Sequence, residues 1–288
     1  MIESKYIVNF LFAIIPAAIW ALLFLKNHKE NRWLVFFTFV GGILAAQVIL
    51  LYKGYWDSTL NLIFVKVSLV DFRSNLNEII VNATTAAFAV FLGIGAMEEV
   101  AKFWLMKIIA KGFFRSIDDV IALAIISALG FSFYENMIYF NNHWNQLAGA
   151  SFYLLVISRV TIVTMVHMLC SGVMGYYFGL AYFASPILKI QHKEKRRHPI
   201  LKFLKSVLHM KKSHLYRDEM MVIGLVLAMV IHAFYDFILS STIDLPPLVV
   251  SVTVLLYFFG GYYFLNYLMG RKEAKLEMGL LVNQVDDE

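Results

Sequence analysis

Residues 118–140 read DDVIALAIISALGFSFYENMIYF. After Asp118 and Asp119 no charged side chain appears until Glu135. At about 1.5 Å of rise per residue, a helix of this length crosses about 30 Å of hydrocarbon. Inside lipid a backbone must satisfy its own hydrogen bonds, so the stretch reads as a membrane-spanning helix. Six more apolar stretches of sufficient length flank it, near 6–25, 33–52, 79–106, 152–183, 221–240 and 247–268. The third and fifth spans in chain order, 79–106 and 152–183, exceed the need and are expected to tilt, kink or project beyond the bilayer. The first is too long and too poor in leading positive charge for a cleaved signal, and reads as a retained span.

Composition agrees with this reading. Of 288 residues, 60% are hydrophobic and 16% charged, whereas soluble domains carry about 25% charged residues. One core could not hide so much apolar surface, which excludes a soluble enzyme, a nucleic-acid-binding protein and a disordered chain. The expected fold is all-α, a polytopic bundle of about seven spans. It divides into residues 1–78 (two spans and an outer segment), 79–240 (a core with a basic loop at 184–220) and 241–288 (last span and tail). The lone Cys170 lies within an apolar run and supports no disulfide framework.

Loop charges set the expected orientation. The loops at 26–32, 107–117 and 184–220 and the C-terminal tail hold nineteen Lys and Arg, against four on the opposite side. The positive-inside rule then puts the N-terminus outside and the C-terminus in the cytoplasm. Within the basic loop, Pro199–Lys212 interleaves Leu201, Phe203, Leu204, Val207 and Leu208 with lysines. That pattern fits an interfacial helix on anionic headgroups, and equally an ordinary basic cytoplasmic loop. The outer segment 53–78, with Tyr55 and Trp56, resembles an interfacial element. Gly175 and Gly179 form a small-xxx-small pair suited to helix packing. Gly93 and Gly95 mark a place for a helix break or a close approach.

The ionisable residues within or beside these spans are the informative ones: Glu98, Glu99, Lys102, Glu135, Arg159, His167, His232 and Asp236. A charge at mid-bilayer costs about 2.5–3.5 kcal/mol even on insertion scales. Six such groups facing lipid would together exceed the net stability of a whole fold. They must face the interior, pair, or line a wet cavity. Two cations against four carboxylates leave a net charge of −2, which imidazolium, protonated carboxyls or a divalent metal would balance. Spacing lets Lys102 pair with Glu98 (i,i+4) or Glu99 (i,i+3). His232 and Asp236 are also i,i+4, and Arg159 and His167 lie about two turns apart. Taken singly, each has a plain structural reading: a Glu–Lys pair as interhelical glue or a transport relay, a His as a satisfied donor, an Asp as a relay. As a set spread over four spans they can supply a base for water and groups to hold an oxyanion, shielded from bulk solvent.

Other chemistries lack their motifs. There is no H-E-x-x-H, G-x-S-x-G, G-x-G-D, P-loop or G-x-G-x-x-G.

Glu98-Glu99-Val100-Ala101-Lys102 is similar to the E-E-x-x-K motif of the PrsW family of intramembrane proteases. Phe131 to Asn136 resembles that family's F-x-x-x-E-N. His167 stands at its third motif, and His232 to Asp236 fits H-x-x-x-D. The resemblance covers roughly 79–240. It implies a bacterial inner-membrane endopeptidase that cuts a membrane-anchored protein, a single-span anti-sigma factor in the best-known members, at its extracytoplasmic side. The site residues it implies are Glu98, Glu99, Glu135, His167, His232 and Asp236, supported by Lys102, Asn136 and Arg159. The Glu98–Glu99 pair would supply the base with a histidine's help, and His232 with Asp236 would hold the oxyanion or a metal. Glu135 and Asp236 stand where the related CAAX prenyl endopeptidases carry His and commonly Asn, which points away from prenylated substrates. Glu98, Glu135, His167 and His232 form a donor set suited to zinc. A glutamate-only mechanism needs a protonated carboxyl instead; the sequence reading leans slightly towards it and leaves zinc open. Membrane lipid and a membrane-protein substrate are the expected partners, with no nucleic acid. The alternative from another class is a proton-coupled transporter or an immunity-type membrane protein. Transporters often carry inverted repeats, and none is evident.

Overall fold

The computed structural model of the chain describes residues 4–26, 31–57, 83–147, 149–193, 211–239 and 245–276. All regular structure among them is helical. In chain order the helices are α1 (Ser4–Leu25), α2 (Arg32–Asp57), α3 (Ala83–Ala110), α4 (Ile117–His143), α5 (Ala150–Tyr182), α6 (Ala184–Lys193), α7 (Lys212–Leu239) and α8 (Pro247–Gly270), then a single turn, α9 (Lys272–Lys275). Two helices contain a π turn, at Arg159–Val163 in α5 and Leu256–Gly260 in α8. Residues 199–210 of the predicted interfacial helix, and the outer segment beyond Asp57, lie outside the described residues, while Lys212 begins α7.

Among the described residues, α1, α4, α5, α7, α8 and the Arg32–Leu50 part of α2 are long and apolar enough to cross a membrane. The remaining expected span is α3, whose Glu98, Glu99, Lys102 and Lys107 set its composition apart. α7 begins nine residues before the apolar stretch at 221, because Leu215 and Tyr216 on its first turns find buried contacts.

α4 is the axle of the bundle. Ser116 and Asp119 start it with a reciprocal capping box: Ser116 Oγ accepts the Asp119 N–H at 3.1 Å, and Asp119 Oδ2 accepts the Ser116 N–H at 3.1 Å. These bonds satisfy backbone donors that a helix start leaves open. In its best apolar window 89% of residues are buried by protein, against 17% in α8 and 22% in α1. Helices α2 and α5 flank it closely. A Cβ on Gly42 would lie 2.0 Å from Ser127 O, and one on Gly130 would lie 1.9 Å from Phe39 O, so α2 and α4 touch backbone to backbone. Gly175 and Gly179 bring α5 against Ala124 and Ile117 of α4, the packing role their spacing predicts. The outer helices show lipid-type surfaces, with Leu22, Leu248 and Tyr263 largely exposed.

α3 and α7 run antiparallel, since Phe88 meets Phe237 while Gly95 meets His232 farther along. α3 is unbroken through Gly93 and Gly95. Gly95 serves the close approach, with room for a Cβ only 3.2 Å from His232 Cβ, whereas Gly93 faces open space. The start of α3, the end of α4, the start of α5 and the end of α7 therefore share one face of the bundle.

Candidate active site

All nine singled-out residues gather where α3, α4, α5 and α7 meet. Glu98, Glu99 and Lys102 come from α3, Glu135 and Asn136 from α4, Arg159 and His167 from α5, and His232 and Asp236 from α7. Glu98, Glu99, Lys102, Asn136, Arg159, His167 and His232 are buried. Glu135 and Asp236 are more open, with side-chain exposures of 16% and 31%.

The innermost layer is an ion-pair cluster. Lys102 Nζ donates to Glu99 Oε1, lies 3.2 Å from His167 Nδ1, and sits 4.5 Å from the centre of the Phe131 ring. Of the two partners that spacing allowed, the fold gives Lys102 a direct bond to Glu99. The same carboxylate accepts from Ser171 Oγ at 3.0 Å and contacts His232 Nδ1 at 3.1 Å. Three donors on one carboxylate offset the cost of burying its charge.

Facing the cavity, His232 Nε2 lies 3.6 Å from both Glu98 Oε2 and Asp236 Oδ2. With Nδ1 turned to Glu99, the ring presents Nε2 to the cavity side. Across from it, Glu135 Oε2 receives Arg159 Nη2 at 2.7 Å and contacts His167 Nε2 at 3.0 Å. Arg159 Nε donates to Asn136 Oδ1 at 2.9 Å, and its guanidinium lies over the Tyr139 ring at 3.6 Å. The two imidazoles meet edge to face, 5.2 Å between centroids. Glu98, Glu135, Arg159, His167, His232 and Asp236 line one cavity of about 420 Å³, completed by apolar and aromatic walls such as Phe91, Val163 and Tyr235. Its lining reaches Tyr139 near the end of α4 and Leu239 at the end of α7. The cavity thus lies toward the face where those helices finish.

The sequence reading missed four participants. Ser171 is a donor to Glu99; its i,i+4 offset from His167 was the available signal. Ser132, Thr164 and Tyr139 carried no signal beyond their places near Glu135 and Arg159. Cys170 is buried among Val166, Met174 and Ala228, in keeping with packing.

A polytopic helical bundle with a polar, acid- and imidazole-lined cavity sunk inside it defines an integral membrane protein with a site at depth. A family model described as PrsW family intramembrane metalloprotease matches residues 30–262, and the chain belongs to that family. It is a multi-pass intramembrane protease, which sets aside the transporter and immunity alternatives. Neither a curated protein nor a solved structure matches the chain.

The family's metal has a fitting donor set here. One ligand atom each from Glu98, His167 and His232 lies within 4.8 Å of the others, all three residues being buried. At bond lengths of about 2.0–2.1 Å, tetrahedral zinc ligands lie about 3.4 Å apart, close to the 3.6 Å between His232 Nε2 and Glu98 Oε2. Two histidines and one glutamate are a catalytic zinc set with a position left for water. A second group, Glu99, Cys170 and His232, has the same compactness, but Glu99 and Cys170 lie outside the cavity lining that Glu98, His167 and His232 share. The Glu98 group fits better. This tips the balance from the glutamate-only reading toward metal.

Proposed function

We propose that this protease hydrolyses a peptide bond on the extracytoplasmic side of a single-span membrane protein, using the cavity between α3, α4, α5 and α7. The observation that carries the proposal is the meeting of Glu98, Glu135, His167, His232 and Asp236 in the lining of one cavity. The cavity lies toward the face where α3 begins and α7 ends, which the loop charges assign to the outside of a bacterial cytoplasmic membrane. An anti-sigma factor is the substrate that the motif resemblance implies.

Glu98, His167 and His232 would hold the metal, zinc by donor chemistry. When bound, it supplies Lewis-acid activation of water and of the scissile carbonyl. Glu99 orients His232 through Nδ1 and takes no part in proton transfer, since Lys102 and Ser171 occupy it. Glu135, held by Arg159 and open to the cavity, takes the proton of the attacking water and returns it to the leaving amine. This differs from the role the motif resemblance gives the Glu98–Glu99 pair. The reason is burial: Glu99 is 1% exposed, and Glu98 at 4% belongs to the donor set. Asp236 steadies His232, and apolar walls exclude bulk water.

The test uses purified protein in liposomes with a quenched-fluorescent single-span helix bearing an extracytoplasmic extension. Glu135→Gln is expected to lower kcat by at least about a hundredfold while metal content stays at the wild-type level. Glu98→Gln and His232→Ala are expected to lose both. Retained cleavage in all three variants overturns the proposal.

A further inference from the structure

Arg159 and His167 reach the same Glu135 oxygen from one helix, yet eight residues of regular α-helix advance about 800° and would leave their side chains about 80° apart. The π turn Arg159–Val163 removes that offset. It takes up one extra residue, worth about 100° of rotation, with the Thr164 N–H bonded back to Arg159 O.

π turns are rare and need support from their surroundings, and here two side chains supply it. Thr164 Oγ1 donates to Arg159 O at 2.9 Å. From the neighbouring helix α1, Trp20 Nε1 donates to Val160 O at 3.1 Å. The single Thr164 hydroxyl proton being committed, Ser132 is the donor in its 2.7 Å contact with Thr164 Oγ1. Asn136 Nδ2 lies 3.4 Å from both hydroxyls, while Asn136 Oδ1 accepts from Arg159 Nε. A closed ring of hydrogen bonds thus runs from the π-turn backbone through α4 to the Arg159 side chain. Trp20 fastens the same turn from α1, its partly buried ring set edge-on to Phe258 in the π turn of α8.

We propose that Thr164 and Trp20 are positioning residues for the hydrolysis: by holding the π turn they set Arg159 and His167 on one face, and so aim Glu135. Neither touches the cavity. Trp20 lies outside the residues matched by the family model, which makes α1 a working part of this enzyme. The inference rests on Glu135 as the base.

The experiment measures kcat and KM separately on the single-span reporter in liposomes, together with thermal unfolding. Thr164→Val keeps the side-chain shape and removes the hydroxyl. Its kcat is expected to fall about 10- to 100-fold with KM within about threefold, and Thr164→Ser is expected to restore kcat to within about threefold of wild type. Trp20→Phe, which keeps a ring and loses the N–H, is expected to fall between. The double variant should lose less than the product of the two single losses, because both act on one turn. An unchanged kcat in Thr164→Val, or a Thr164→Ser no better than valine, overturns the proposal, as does a kcat loss that merely follows lost thermal stability. Should Thr164→Val fail to accumulate, Ser132→Ala removes the donor to Thr164 and must show the same split. If Glu135→Gln remains active, the assignment of the base has failed. If only Thr164→Val is silent, the failure belongs to the π turn alone.

Discussion

Replacing Lys102 with methionine isolates the buried ion pair at the floor of the site. Lys102 is 1% exposed and Glu99 likewise, so neither charge has water to fall back on. At hydrogen-bonding distance and an effective dielectric near 20, two unit charges attract by about 5 kcal/mol. Ser171 and His232 already donate to Glu99 in the wild type and offer no new compensation. Removing one member of a buried pair costs about 3–5 kcal/mol. For a protein of this size the expected fall in Tm is about 6–20 °C. Glu99→Gln should cost a similar amount, because it strands Lys102 between His167 and the Phe131 ring. The double variant removes both charges and should recover to within about 2 kcal/mol of wild type, while cleavage stays impaired because His232 Nδ1 has lost the carboxylate that orients the ring. Thermal unfolding of purified protein in detergent, followed by tryptophan fluorescence, reads the stabilities, and liposome cleavage reads the activity. A Lys102→Met protein as stable as wild type, or a double variant no more stable than either single, refutes the reasoning.

A chelator such as 1,10-phenanthroline should abolish cleavage and added zinc should restore it; full activity in protein shown by elemental analysis to hold no metal would rule the metal role out. Gly130→Ala should cost at least about 3 kcal/mol, or prevent folding, because its Cβ would lie 1.9 Å from the Phe39 carbonyl oxygen. Gly93→Ala, facing open space, should be neutral or stabilise by up to about 1 kcal/mol, and equal Tm values for the two would contradict the packing account. Ser171→Ala should cost about 1–3 kcal/mol through the lost bond to Glu99, and an unchanged Tm would show that bond to be idle.

Much of this was legible in the sequence because lipid makes polar residues conspicuous. Glu98, Glu135, His167, His232 and Asp236 stood out as groups that apolar spans should not contain, and the fold brings them to one cavity. Local spacing reached less far. It allowed Lys102 either glutamate, and Ser171 and His232, from distant helices, build the site around Glu99. Two turns of ideal helix placed Arg159 and His167 only roughly on a shared face; the π turn that aligns them has no simple periodic signature. Gly42 and Gly130 passed unnoticed because their meaning lies in each other, across two helices. The proposal of Glu135 as the base rests on burial, which spacing does not contain.

The enclosure of α4 has a consequence for how the enzyme tolerates different lipids. When bilayer thickness changes, helices that touch lipid respond by tilting or by bending the bilayer around them. That response belongs to α1 and α8, whose apolar windows are mostly open to lipid, while α4 meets protein along most of its length. Glu135 sits on this insulated helix, and the Trp20 bond to the π turn of α5 is the link by which a tilt of α1 reaches it. Turnover should therefore vary with the acyl-chain length of the surrounding phosphatidylcholine, and vary less in Trp20→Phe.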